Sequence, residues 1–369
     1  MTNHSISGKH MRCILAMFWS GSLVLLGNYR NMGPDSWIAF LLAAVFFLPL
    51  LWIHTRLIQI YPEKNLFEMI YETFGKILGA VCSLFFIFFA IHLSSLVTRV
   101  FGEFIQALSM PETPQTLTIA LILLIAYWSV TNGPENVGRT SKFLWNIIWL
   151  SVAATFFIGI KDMNFENLKP VMETDLTTLV GGGFSICMLS LGESILCLSF
   201  FSAVPKKESP KKIYLIALIG FLIVGLIAIL RNVLILGPTV TSLYYFPSYA
   251  AVSVLTVGDF FSRIEVLIGI DLMIAGLVKI SVCVYTASLG LTKVLHAPNQ
   301  KTMVAPCIML IIALAIPAFK NTIDIFDFFP YFTVYSTVFE VFLPFVLWIT
   351  AEIKSRLKSA PARPEPAES

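Results

Sequence analysis

FSRIEVLIGIDLMIAGLVKISVCVYTASLG, residues 261–290, is the stretch from which the rest of the chain can be read. It is long and apolar enough for a membrane-spanning helix, yet it carries Glu265, Asp271 and Lys279. A charge at the centre of hydrocarbon costs at least about 2.5–3.5 kcal/mol, so these groups must face protein or water. At about 100° per residue the three fall within an arc of roughly 120°. Gly269, Gly276, Cys283, Thr286 and Gly290 lie on or near that arc, and Leu267, Ile270, Met273, Ile274, Leu277 and Ser281 lie opposite. The small, ionisable side is expected to face a packed interior or a solvated cavity. Glu265, near the helix start, can snorkel outwards. Lys279 lies too deep for that and has two readings, a functional cation or a structural ion pair. Asp271 is about 12 Å away along the axis, so it needs bridging water, or Lys279 needs another helix's carboxylate; Glu193 is either that partner or a cation or proton site.

Composition sets the class. Hydrophobic residues make up 57% of the 369 residues, charged residues 13%, and the mean hydropathy is +0.82. A soluble domain of this size could not hide so much apolar surface. The expectation is an all-α, polytopic membrane protein whose environment is the lipid bilayer. The net charge of +3 gives no reason to expect a nucleic-acid partner. After Lys9 and Arg12 no small-residue cleavage site closes a short apolar region, so the first span is expected to remain. The six cysteines are scattered through apolar segments, with no CxxC and no Cys/His spacing suited to zinc, and read as small buried hydrophobes.

Ten segments are long enough to span, near 11–29, 36–54, 77–101, 115–131, 142–160, 181–203, 212–236, 263–291, 303–319 and 331–351. With the N-terminus inside, 17 of the 25 Lys and Arg residues fall on inside segments and seven outside, leaving Lys279. That bias predicts both termini in the cytoplasm. Residues 1–352 form the ten-helix unit, and 353–369 a cytoplasmic tail whose KSAPARPEPAES stretch is expected to be disordered. The aromatic outer connection 237–262 reads as an interfacial or re-entrant lid.

Two spans have unusual interiors. The first holds Trp19-Ser20-Gly21-Ser22, followed by Gly27-Asn28. The sixth opens Gly181-Gly182-Gly183 and carries Ser190-Leu191-Gly192-Glu193-Ser194. Glycine weakens a helix by about 1 kcal/mol against alanine. The first and sixth of ten spans are equivalent if the chain is a 5+5 inverted repeat. Interruptions at corresponding places point to a midplane substrate site; small-residue helix packing is the alternative. Freed backbone N–H groups can hold a carboxylate, and freed carbonyls with Glu193 an ammonium, which suits a small polar nutrient. The expected ligand-binding set is Ser20, Gly21, Ser22, Gly192, Glu193, Ser194, Gly276, Lys279 and Cys283. His92 reads as helix packing, Arg99 and Glu103 as a local pair with Arg231 similar, and Glu340 as a second intramembrane carboxylate. There is no P-loop, dinucleotide glycine pattern, nucleophile elbow or metal-ligand cluster, so neither catalysis nor a metal or cofactor is expected.

Several stretches carry a resemblance. They are Gly33-Pro34-Asp35-Ser36-Trp37-Ile38, Pro111-Glu112-Thr113-Pro114, Asn167-Leu168-Lys169-Pro170-Val171, Leu191-Gly192-Glu193, Gly258-Asp259-Phe260 with Arg263-Ile264-Glu265, and Lys279-Ile280-Ser281 with Tyr285. In this order and spacing the chain resembles the spore germination permeases, the B subunits of bacterial germinant receptors, in the amino acid–polyamine–organocation superfamily. Related chains often carry a proline after the first glycine break, where Gly27-Asn28 stands here. The resemblance implies a ten-helix inverted-repeat permease fold that senses an amino acid, sugar or nucleoside. It also implies an A subunit and a lipoprotein C subunit as partners in the spore inner membrane. An autonomous proton-coupled amino-acid permease is the alternative.

Overall fold

The computed structural model describes residues 6–23, 32–108, 112–255 and 263–359. Gly27-Asn28, Pro111 and Gly258-Asp259-Phe260 lie outside the described residues, as does the tail from 360. The described chain is helical, without strands. Its helices are α1 (Gly8–Ser20), α2 (Ser36–Ile60), α3 (Leu66–Leu108), α4 (Gln115–Thr131), α5 (Pro134–Gly159), α6 (Leu176–Ile186) and α7 (Pro210–Leu236). They continue with α8 (Pro238–Leu243), α9 (Pro247–Ser253), α10 (Glu265–Val294), α11 (Gln300–Ala315), α12 (Thr322–Thr337) and α13 (Leu343–Ser359).

Among the described residues, seven helical stretches are long and apolar enough to cross a membrane: Met32–Ile60, Leu66–Ala107, Pro134–Asp162, Leu176–Ala203, Pro210–Leu236, Glu265–Val294 and Thr322–Leu357. Gln115–Thr131 and Gln300–Ala315 are shorter apolar helices at two further expected spans, and α1 occupies the first half of the first. Side chains such as Leu48, Ile77, Leu124, Trp128, Leu150 and Phe157 stand exposed on the outside of the bundle. Water would not tolerate that coat, whereas lipid matches it.

Local chemistry sets the helix ends. Ser209 and Pro210 open α7, and the Ser209 hydroxyl accepts the Lys212 N–H at 3.4 Å. Asp175 accepts the Thr178 N–H at 2.9 Å ahead of α6, and that bond holds its carboxyl below its ordinary range. Asn65 and Glu68 exchange reciprocal bonds of 2.9 and 3.0 Å, a capping box that starts α3 well before the expected residue 77. The early part of α3 ends at Gly75, whose φ of 78° and ψ of −166° belong to glycine alone. The chain then resumes as the spanning part of α3.

Span six is interrupted, but not by unwinding. α6 passes into a π turn, Cys187–Leu191, and then a 3-10 stretch, Gly192–Ala203. Gly192 keeps helical angles of φ −61° and ψ −38°. Two of the three opening glycines serve packing: a Cβ on Gly182 would run into Met32, and one on Gly183 would meet the Ala39 carbonyl of α2 at 3.1 Å, whereas Gly181 faces open space. A second π turn, Val338–Phe342, joins α12 to α13. α13 runs on to Ser359, so residues 353–359, expected in the tail, are helical.

The centre of the bundle is α1 together with the lower half of span six. Every residue from 14 to 22 and from 186 to 201 is buried. α1 packs against α5, α7 and α10, and α3 shares its widest interface with α10. The expected two-sided character of α10 holds for its first half, where Val266, Leu267 and Ile270 are exposed. From Val278 to Ser288 it is buried all round, Ser281 included, because α1, α3, α4 and span six enclose it. The described part of the connection expected to form a lid holds two short proline-started helices, α8 and α9. Asp35, fully buried at the head of α2, accepts the N–H groups of Met172 (2.7 Å) and Thr174 (2.9 Å). One resemblance stretch, through Asp35, is thus latched to the residues that directly follow another, and Thr174 extends the latch by donating to the Met32 carbonyl at 3.0 Å.

Candidate functional site

α1 ends at Ser20 in the middle of the bundle. Gly21 turns the chain, its N–H donating to the Met17 carbonyl at 2.9 Å. The Trp19 carbonyl, freed by the helix end, accepts from Ser22 N at 3.1 Å and from the Ser190 hydroxyl of span six at 3.1 Å. Lys279 of α10 reaches into this junction. Its ammonium donates to Ser22 Oγ and to Glu193 Oε2. Ser22 Oγ in turn lies 3.4 Å from the same Glu193 oxygen. The Phe18 ring sits 5.2 Å from Nζ and adds a cation–π face. Lys279 and Glu193 side chains are 0% and 1% exposed, so one buried cation ties together three elements. Gly21 lets them close: a Cβ there would stand 2.9 Å from Lys279 Cβ and 3.0 Å from the Ala275 carbonyl.

Of the nine expected site residues, Gly21, Ser22, Glu193 and Lys279 converge directly. Gly192 adjoins them, with the Glu340 carboxyl lying where its side chain would be. The others take different places. Ser20 donates back to the Ala16 carbonyl at 2.8 Å, and Ser194 to the Leu191 carbonyl at 2.6 Å, each within its own span. Gly276 makes room for the Phe101 ring of α3. Cys283 is fully buried in the apolar core, as is Cys197, and no described cysteine is in a disulfide.

The remaining ionisable groups sort by position. Glu265 is buried and pairs with Arg263 at 3.3 Å. Arg99 and Glu103 pair at 2.9 Å, as the spacing implies. Arg231 is not a peripheral group: it is fully buried and donates to Thr155 Oγ1 at 2.7 Å and to Asn232 Oδ1 at 3.0 Å. His92 bonds Tyr335 at 2.6 Å between α3 and α12. Asp271 lines a separate cavity of about 40 Å³ with Ser20, Arg231 and Ser248. A narrower cavity of about 20 Å³ reaches Glu193 between α3, span six and α12, with apolar walls that include Val97, Phe328 and Phe332. It has room for a water and little more.

The sequence matches the family described as Spore germination protein over residues 7–323. The chain belongs to the spore germination protein family. Spore germination protein KB of Bacillus subtilis (strain 168) is 25% identical over 325 residues, covering 87% of each chain. Spore germination protein A2 of the same organism is 23% identical over 330 residues, covering 88% of each. Among solved structures, MhsT in complex with L-phenylalanine matches with a TM-score of 0.64 at 15% identity, over 96% of this chain and 100% of that one. A Na+-coupled sialic acid symporter in a substrate-bound outward-open state also matches at 0.64, with 12% identity over 98% and 92%. This spore germination protein is thus a multi-pass membrane protein with a transporter-type, all-helical permease fold, of a permease- or receptor-like family and not of a known enzyme class.

Two features of this family member escaped the residue-by-residue reading. One is the Asp35 latch, whose partners are backbone groups 137 and 139 residues away. The other is the seat of Glu340 on Gly192. A lone carboxylate inside a span was the visible signal for the second.

Proposed function

We propose that this chain is the membrane-embedded B-type subunit of a germinant receptor, and that it recognises a small nutrient where α1 stops against span six and α10. The class of nutrient is an amino acid, sugar or nucleoside. The carrying observation is the Lys279 ammonium, buried and shared between Ser22 and Glu193 at the end of α1. A polar ligand that enters here exchanges its own hydrogen bonds for those of Lys279, and so uncouples α1 from α10. In the same reading the protein sits in the spore inner membrane with both termini cytoplasmic, and acts with an A subunit and a lipoprotein C subunit. Residues 1–352 form the permease unit and the remainder a cytoplasmic tail.

Germination of spores carrying Lys279→Met or Ser22→Ala, screened against single amino acids, sugars and nucleosides, tests the site. Loss of response to one nutrient, with normal protein level in the membrane, supports it. Unchanged responses in both overturn it. The transporter-type fold also supports a second reading, a proton-coupled amino-acid permease. Purified protein in liposomes separates the two: binding without uptake favours the receptor, and uptake driven by a proton gradient favours the permease.

A further inference from the structure

Among the described residues there are two π turns, and the second packs against the 3-10 stretch that directly follows the first. Glu340 occupies the middle of the turn Val338–Phe342, and Gly192 directly follows the turn Cys187–Leu191. π turns open the ordinary helical ladder and concentrate at functional positions. The Glu340 carboxyl lies on Gly192, in the space a side chain would fill. The next residue is Glu193, already bonded to Lys279. Glu340 is fully buried, and among the described residues neither of its oxygens has a hydrogen-bond partner. Ser336, one turn earlier, donates to the Thr333 carbonyl at 3.4 Å and is also the hydroxyl that borders the Glu340 carboxyl. The ionisable groups that face Glu340 are Glu193, Lys279, Cys187 and Tyr335, and Tyr335 is held by His92.

Two carboxyl groups here share a single ammonium. Lys279 is committed to Glu193 and Ser22. A bare carboxylate next to that pair would leave a net negative charge, fully buried, at the core of a membrane bundle. Such a group neutralises rather than bear the desolvation. Gly192 matters because any larger residue would push Glu340 away from the pair.

We propose that Glu193, Lys279 and Glu340 form one proton-binding centre, in which Glu340 holds the proton while Lys279 bonds Glu193. The proton comes from water and returns to it, and only an O–H bond is made or broken. If Lys279 turns from Glu193 to Glu340, the proton moves to Glu193 and the centre stays neutral. The centre therefore carries one proton through a rearrangement of α1, α10 and span six. This deepens the functional reading of the Lys279 junction, and its test uses no germinant, so failure here leaves the nutrient-site reading untouched.

The test is infrared spectroscopy of the full chain in lipid nanodiscs at neutral pH, following the carbonyl stretch of protonated carboxylic acids. Asp271 is a second buried carboxyl, so the Asp271→Asn protein serves as the background. In that background the protonated band is present and Glu340→Gln, an isosteric change, removes it. Lys279→Met raises it to about twice the intensity, because both carboxyls then lack a counter-charge. Glu193→Gln also abolishes it, since Glu340 becomes the sole carboxylate beside Lys279. Absence of the band in the background protein, or its survival in Glu340→Gln, overturns the proposal even if Lys279→Met fails to fold.

Discussion

Lys279 of α10 and Glu193 of span six form an ion pair that is cut off from solvent on every side, their side chains 0% and 1% exposed. Pairs of this kind add little net stability when intact, but they are expensive to break from one side. Lys279→Met strands the Glu193 carboxylate and is expected to lower stability by about 3–5 kcal/mol. Thermal unfolding in detergent reads this as a large drop in midpoint, with a smaller drop for Lys279→Arg. Adding Glu193→Gln to Lys279→Met restores the midpoint but not the germination response. A Lys279→Met protein as stable as wild type would exclude the pair.

Gly21 and Gly192 border the same junction but fail differently when replaced. A Cβ on Gly21 meets the Ala275 carbonyl at 3.0 Å, a backbone atom that cannot step aside. Gly21→Ala is expected to lose about 1–3 kcal/mol through overpacking. On Gly192 the obstacle is the Glu340 side chain, so Glu340→Ala relieves Gly192→Ala. Unfolding midpoints of the two single variants, and of each combined with Glu340→Ala, decide the matter. Equal rescue of both glycine variants would contradict the geometry.

Asp35 has no exposure and accepts two backbone N–H groups from the loop ahead of α6. A hydrogen bond to a charged group contributes about 1.5–3 kcal/mol. Asp35→Ala therefore frees the loop locally before it harms the bundle. Hydrogen exchange is expected to accelerate at the Met172 and Thr174 amides and to stay slow in α10. Unchanged exchange at those two amides would show that other contacts hold the loop.

Gly75 stands at φ 78° and ψ −166°, and a Cβ there meets nothing within 4 Å. Backbone strain is thus the whole effect of a substitution. Gly75→Ala should destabilise by about 1–3 kcal/mol. A midpoint equal to wild type would mean the bend between the two parts of α3 is not required.

Membrane orientation can be tested with single cysteines on opposite connections. Ser209 caps α7 and Lys169 lies in the loop before α6, with span six between them. An impermeant thiol reagent applied to intact cells is expected to label a cysteine at 169 and not at 209. Labelling of both or of neither rules out the inside-N-terminus topology.

The sequence by itself determined the class, the helices and much of the polar centre. Its apolar runs exceed what a soluble core can hold, and their lengths match a bilayer, so helices follow from the need to satisfy the backbone in lipid. The cost of burying Lys279 and Glu193 made both conspicuous in a chain with few charges. Glu193 was a candidate partner for Lys279 from the sequence, but only the tertiary structure brings the two together and sets Glu340 beside them. Glu193 and Lys279 are 86 residues apart, and Glu340 comes still later. Their meeting depends on the rotation and depth of α1, α10 and span six, which helical periodicity does not specify between helices. It also decided what the glycines do. Gly192 reads as a weak point in its helix and Gly276 as part of the small face of its span, yet each is a gap filled by a side chain from elsewhere, Glu340 and Phe101. A helical pattern records the face a residue takes on its own helix, whereas close approach is a property of two backbones at once.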